Sequence, residues 1–177
     1  DWKNNRNSFL ITGSVMDTSS VDTIIRNVDE PTKYTGYLFR EMLIKKGLNI
    51  KKLNKGIYSN SGTEIATHYS KSLPSILENL MVESDNLTAE LLVKIIGYEY
   101  SQIEGNWQNG LHAMKVFLHD KVSLDTTSFS ISDGSGVSRY NYSSANNFIS
   151  LLSWAYHNPK IRNNLLNILS FTGEKGT

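Results

Sequence analysis

Trp107, Leu111, Met114 and Leu118 recur at i, i+4, i+7 and i+11 in a stretch without proline. With 3.6 residues per turn these positions form one stripe, so the segment is expected to be an α-helix with a single apolar face. The same signature returns along the chain. Pro31 suits a first helical turn, Tyr34, Leu38 and Met42 repeat at i,i+4 with Phe39 and Leu43 beside them, and Gly47 supplies a stop. Ile76, Leu77, Leu80 and Met81 form a stripe in a helix that begins near Pro74. Leu87, Leu91 and Ile95 line another, with Gly97 as its expected left-handed cap. Phe148, Leu151, Leu152 and Ala155 make a further face, and Pro159 opens a last helix with Ile161, Leu165 and Ile168.

Strand patterns are fewer. Residues 8–14 and Thr23-Ile24-Ile25-Arg26 read as short strands around a polar Asp17-Thr18-Ser19-Ser20. Residues 48–58 fit one more, followed by a Ser/Asn/Gly turn, and Phe129 and Ile131 alternate in another before Asp133-Gly134-Ser135-Gly136. The expected class is α+β, helix-rich with a few antiparallel strands, and no internal repeat or linker divides the chain.

A chain of 177 residues can bury about 70% of its unfolded surface. Its 39% hydrophobic and 20% charged residues fit a soluble globular domain. Eighteen Lys plus Arg against seventeen Asp plus Glu leave a net charge of +1, which gives no electrostatic footprint for nucleic acid or an anionic membrane. No apolar run reaches membrane-spanning length, and Asp1-Trp2-Lys3-Asn4-Asn5-Arg6 lacks the apolar centre of a signal peptide. Cysteine is absent, so no disulfide and no thiolate metal site is expected. His68, His112, His119 and His157 have no metal-binding spacing, so neither metal nor cofactor is expected.

Two segments could carry chemistry. Taken alone, Ser84-Asp85-Asn86 before Leu87 is a helix cap, since such side chains accept the unpaired N–H groups of a first turn. Asp133-Gly134-Ser135-Gly136 after a strand is an ordinary turn. In order, however, the chain carries Ser72-Leu73-Pro74-Ser75-Ile76-Leu77, then Glu83-Ser84-Asp85-Asn86-Leu87-Thr88-Ala89-Glu90, then Asp133-Gly134-Ser135-Gly136-Val137-Ser138-Arg139-Tyr140-Asn141. This arrangement resembles the class C low-molecular-mass penicillin-binding proteins, serine D-alanyl-D-alanine carboxypeptidases and endopeptidases whose second motif is Ser-Asp-Asn, often followed by Ala-Glu. The resemblance covers residues 22–177.

The motif set of such enzymes is S-x-x-K, S-D-N and K-T-G. Only the middle one is here. No serine is followed three positions later by lysine, and Lys175-Gly176-Thr177 matches instead the Gly-x-x-Gly-Thr loop that precedes the lysine motif in that family. The resemblance therefore implies part of a transpeptidase domain of the penicillin-binding-protein and β-lactamase type. Residues 1–20 are then the end of an inserted β-rich domain and 21–177 the partial transpeptidase domain. The chain alone is expected to be inactive, because a serine hydroxyl needs a neighbouring base before it can attack.

For the intact protein the resemblance implies that Ser84 relays a proton toward the leaving group and hydrogen-bonds the catalytic lysine. Asn86 would hold the substrate amide, Asp85 would cap the following helix, and Ser135, Gly136 and Val137 would line the pocket beside the scissile peptide. Val137 stands where the family usually has leucine. The implied partners are a peptidoglycan stem peptide ending in D-Ala-D-Ala, β-lactams and the remaining part of the same protein, in the periplasm or envelope of a bacterium. Two alternatives stay open: an inactive domain of the same fold that binds cell-wall peptide or a protein, and a serine esterase or β-lactamase relative.

Overall fold

A computed structural model describes residues 7–18, 23, 26–57, 59, 61–169 and 173. The chain divides into two compact units, Asp1–Ala66 and Thr67–Thr177. The match to the Gly-x-x-Gly-Thr loop lies outside the described residues except for Gly173, as do Ile24 and Ile25 of one expected strand.

Among its described residues the first unit holds one helix, α1 (Pro31–Lys45), with proline at its start as expected. Its end is set by Gly47 at φ +89°. The Gly47 N–H bonds the Ile44 carbonyl at 2.9 Å and the Leu48 N–H bonds that of Leu43 at 3.0 Å, a Schellman closure. The chain returns beside the helix, where Arg40 Nε donates to the Ile50 carbonyl at 3.0 Å. Asn7 and Asp29 exchange two hydrogen bonds at 3.1 and 2.7 Å. The expected stripe forms, yet Tyr34, Leu38 and Met42 are 44%, 44% and 65% exposed and no residue of α1 is buried.

The second unit is helical: α2 (Leu73–Glu83), α3 (Asn86–Ser101), α4 (Trp107–Val122), α5 (Ala145–His157) and α6 (Pro159–Ile168). The closest pairing is α3 with α4, while α2 touches α3 and α6, and α5 touches α4 and α6. No helix among the described residues is long and apolar enough to cross a membrane. The α4 cap is reciprocal, Asn106 accepting from the Asn109 N–H at 3.0 Å and Asn109 Oδ1 accepting from the Asn106 N–H at 2.8 Å.

Gly97 does not end α3. The helix runs on to Ser101 and is closed by Gln102 in a left-handed conformation, φ 57°. Gly97 is instead buried where α3 meets α4: a Cβ there would lie 2.1 Å from Asn109 Oδ1 and 2.7 Å from the Gly110 nitrogen. Gly110 answers from α4, where a Cβ would meet the Val93 carbonyl oxygen at 2.1 Å. Two glycines thus let the backbones approach more closely than side chains allow.

After α4, Ser123 at φ 61° turns the chain back. Val122, Leu124 and Phe129 then pack with Leu118, Ile131, Leu151 and Trp154 to form the core of this end. Phe117 meets Trp154 edge-on at 5.1 Å. The helix-rich character is as expected, but no strand ladder occurs among the described residues. Residues 8–14 and 48–57 lie in no regular element, and the alternation at Phe129 and Ile131 yields a single antiparallel bridge, Ser130 to Tyr142. Alternating apolar residues suit a pleat, but a strand exists only where a second strand takes its N–H and C=O groups.

The α3–α4 crossing makes a stability prediction. Replacing Gly110 by Ala adds helix propensity worth up to about 1 kcal/mol, but forces a methyl into the Val93 backbone, which typically costs about 1–3 kcal/mol. Urea unfolding followed by circular dichroism should show a net loss for Gly110→Ala and little change for Gly56→Ala, whose Cβ would meet nothing within 4 Å.

Candidate active site

Only Ser84 and Asp85 separate α2 from α3. Ser84 adopts left-handed dihedrals, φ 53° and ψ 48°, a conformation that costs a residue with a side chain about 1 kcal/mol. It makes the elbow sharp, and the Asp85 N–H closes it on the Leu80 carbonyl at 3.1 Å. Asp85 then caps α3: one carboxylate oxygen accepts from the N–H groups of Leu87 and Thr88 at 3.0 and 3.2 Å, the other from the Thr88 hydroxyl at 2.6 Å. Those bonds, the Thr88 hydroxyl first, hold the Asp85 carboxyl below the usual carboxylate range. With Asp85 so occupied, Ser84 and Asn86 flank it as exposed polar side chains at the head of α3.

One turn beyond Asn86, and therefore on the same side of α3, stands Glu90. Its Oε2 accepts from the Trp107 indole N–H at 2.7 Å and the Gly134 N–H at 3.1 Å, and its Oε1 accepts from the Ser135 N–H at 3.1 Å. Burial raises the Glu90 carboxyl, but hydrogen bonding from the Ser135 and Trp107 side chains and from both backbone groups outweighs it and holds the group below its usual value. Contact between loop and helix is close: a Cβ on Gly134 would lie 2.6 Å from Val93 Cγ2 and 2.7 Å from the Ala89 carbonyl oxygen.

The loop is organised from within by Asp133. Its carboxylate accepts from the Gly136 N–H at 2.9 Å, the Ser138 N–H at 2.7 Å, the Asn141 amide at 2.7 Å and the Ser135 hydroxyl at 3.3 Å. Asn141 Oδ1 in turn accepts from the Ser132 N–H at 2.7 Å. Burial pushes the Asp133 carboxyl up, and these donors, Asn141 foremost, bring it below the usual range. Gly136 turns at φ +79°. Beside the loop lies a cavity of about 420 Å³, lined by Met114, Phe129 and Leu151 with Asp133 and Asn141 among its polar groups.

The expected residues thus fall on two elements that Glu90 joins: Ser84 and Asn86 at the head of α3, Ser135 and Gly136 on the loop. Val137 is 69% exposed and outside the hydrogen-bonded network. Glu90 and Asp133 carry the geometry without having been singled out from the sequence. Asp133 was legible as a turn aspartate, and Glu90 as the second residue of the Ala-Glu pair that often follows Ser-Asp-Asn, with no role attached. The arrangement offers hydroxyl, amide and backbone groups for holding a peptide, but no serine with a lysine three positions on to attack one.

Comparison with known proteins converges on one group. The family model described as D-Ala-D-Ala carboxypeptidase 3 (S13) matches residues 1–177. A D-alanyl-D-alanine carboxypeptidase of Actinomadura sp. (strain R39) is 34% identical over 161 residues, covering 86% of this chain and 29% of the relative. The D-alanyl-D-alanine carboxypeptidase DacB of Haemophilus influenzae is 30% identical over 116 residues, 66% of this chain and 24% of that one. A crystal structure of penicillin binding protein 4 from Haemophilus influenzae, complexed with a β-lactam, superposes with a TM-score of 0.74 at 27% identity, over 85% of this chain and 34% of that one. The chain spans about a third or less of the length of these relatives.

The network also fixes an acid response. Glu90 and Asp133 both have folded values below their ordinary ones. Their contribution is therefore full above the unfolded values near pH 4 and is lost as pH falls through the lower folded ones. Asp133→Asn should lower the melting temperature at pH 7, with a loss on the order of 1–3 kcal/mol. That gap should narrow at pH 3, below the ordinary carboxylate value, where the unfolded chain binds protons that the native carboxyl resists. Thermal melts of both proteins at the two pH values check this, and an equal gap at both would remove the charge from the account.

Proposed function

Since the chain belongs to the D-Ala-D-Ala carboxypeptidase 3 (S13) family, we propose that it is part of the acyl-transfer domain of a serine D-alanyl-D-alanine carboxypeptidase or endopeptidase. The whole enzyme trims peptidoglycan stem peptides through an acyl-enzyme and is acylated by β-lactams. One observation carries the reading: the exposed Ser84 and Asn86 stand at the head of a helix hydrogen-bonded, through Glu90, to the loop that bears Ser135 and Gly136.

In that reaction the nucleophilic serine, supplied by sequence beyond these 177 residues, attacks the carbonyl of the scissile peptide. An ester forms, the C–N bond breaks, and the terminal D-alanine leaves after its nitrogen receives a proton. Water then hydrolyses the ester. Ser84 passes the proton toward the leaving nitrogen and hydrogen-bonds the catalytic lysine. Asn86 holds the substrate amide, and Ser135, Gly136 and Val137 line the pocket beside the scissile bond.

In the whole protein, residues 1–20 would close an inserted β-rich domain and 21–177 would belong to the transpeptidase domain. The antiparallel strands expected from the sequence would there find pairing partners. Stem peptides as substrate imply a bacterial periplasm or cell envelope.

Two measurements test this. In the full-length protein Asn86→Ala should lower kcat/KM on a D-Ala-D-Ala peptide about 100-fold, and unchanged hydrolysis would remove Asn86 from the role. Intact mass spectrometry after incubation with a β-lactam should show an acyl adduct on the full-length protein and none on residues 1–177. An adduct on the shorter chain would mean that a working nucleophile lies within it.

A further inference from the structure

The reading above leaves unassigned the carboxylate on which the site's two halves converge. We infer that Glu90 is a positioning residue that sets the register of the substrate-binding loop against the helix carrying Ser84 and Asn86. The inference rests on the proposed function and adds to it a residue that touches no substrate.

Alongside the Ser135 side chain, three donors converge on Glu90 from two elements: the Gly134 and Ser135 N–H groups of the loop and the Trp107 indole of α4. Both oxygens are engaged, so the carboxylate plane, and not merely its charge, is fixed. Among the described residues no other side chain of α3 hydrogen-bonds the loop. The bonded N–H of Ser135 belongs to a residue proposed to line the pocket, and Asn86 lies one turn up the same helix. Any rotation of the Glu90 side chain therefore shifts Ser135 relative to Asn86. The backbone of Gly134 rests on Ala89 and Val93, the neighbours of Glu90 along α3, so the loop has a floor. A floor sets height; the bidentate carboxylate sets sliding along the helix. A role confined to stability would be served by packing alone, whereas two adjacent N–H groups read by two oxygens define a position.

Glutamine separates these roles because it keeps the size and removes the symmetry. With its NH₂ in the place of Oε1 it faces the Ser135 N–H; in the place of Oε2 it faces both the Gly134 N–H and the Trp107 indole. Either way a donor meets a donor, and the loop must move.

The test is made in the full-length protein with benzylpenicillin. Glu90→Gln should lower the second-order acylation rate about 10-fold or more, while the amount of protein acylated at the end point stays that of the parent. Misfolding would do the reverse, reducing the end point and leaving the rate of the remaining molecules unchanged. A rate within about 2-fold of the parent at a full end point overturns the inference. Should Glu90→Gln fail to fold, Trp107→Phe removes the indole donor and keeps the aromatic bulk. Loss of that indole bond alone should slow acylation about 3-fold at a full end point, and an unchanged rate would likewise overturn the inference. A parent that neither is acylated nor hydrolyses a D-Ala-D-Ala peptide sinks the functional reading and this inference with it. An active parent with an unimpaired Glu90→Gln sinks this inference alone.

Discussion

Val93 is the point on which the second unit turns. It is 3% exposed, and its two methyl groups face two glycines: a Cβ at Gly110 would lie 2.7 Å from its Cγ1, and one at Gly134 2.6 Å from its Cγ2. One β-branched side chain, stiff about χ1, therefore locks α3 to α4 on one side and the Asp133 loop to α3 on the other. The carboxylate of Glu90, three residues earlier, adds direction to a contact that packing alone would leave free to slide. Fold and site are thus not separable here, because the residue that closes the helix pair also seats the loop.

What the sequence revealed follows from how local each signal is. Proline at the starts of α1, α2 and α6 and glycine at the end of α1 are read from single residues, because the backbone they require is set by their own chemistry. Gly97 misleads for the same reason. Glycine permits a left-handed cap, but it equally permits a close crossing, and only the facing Gly110 distinguishes the two. The strand patterns are less local: alternation at Phe129 and Ile131 accompanies one antiparallel bridge, while ladder formation depends on a partner that the alternation does not name. At the site, the capping role of Asp85 was legible because its donors lie two and three residues away. The Glu90 clamp was not, because its donors on the loop are 44 and 45 residues distant.

The polar chemistry is graded in the same way. Asp85 organises its own turn, Asp133 its own loop, and Glu90 links two elements across the unit through ionised, multiply bonded oxygens. Carboxylates surrounded by donors are strong acceptors, and each carries its full effect only where ionised. The network is built for neutral conditions, and the elements it joins lose their shared reference as acid removes the charges.

The left-handed backbone of Ser84 has a further implication for how such a chain can change over generations. At that elbow the residue of lowest conformational cost is glycine, so the most accessible stabilising replacement is the one that deletes the hydroxyl proposed for proton transfer. Selection for a sturdier fold and selection for chemistry pull this position in opposite directions. A relative released from catalysis would be free to relax it, and a glycine at the elbow would be a mark of that release readable in sequence alone.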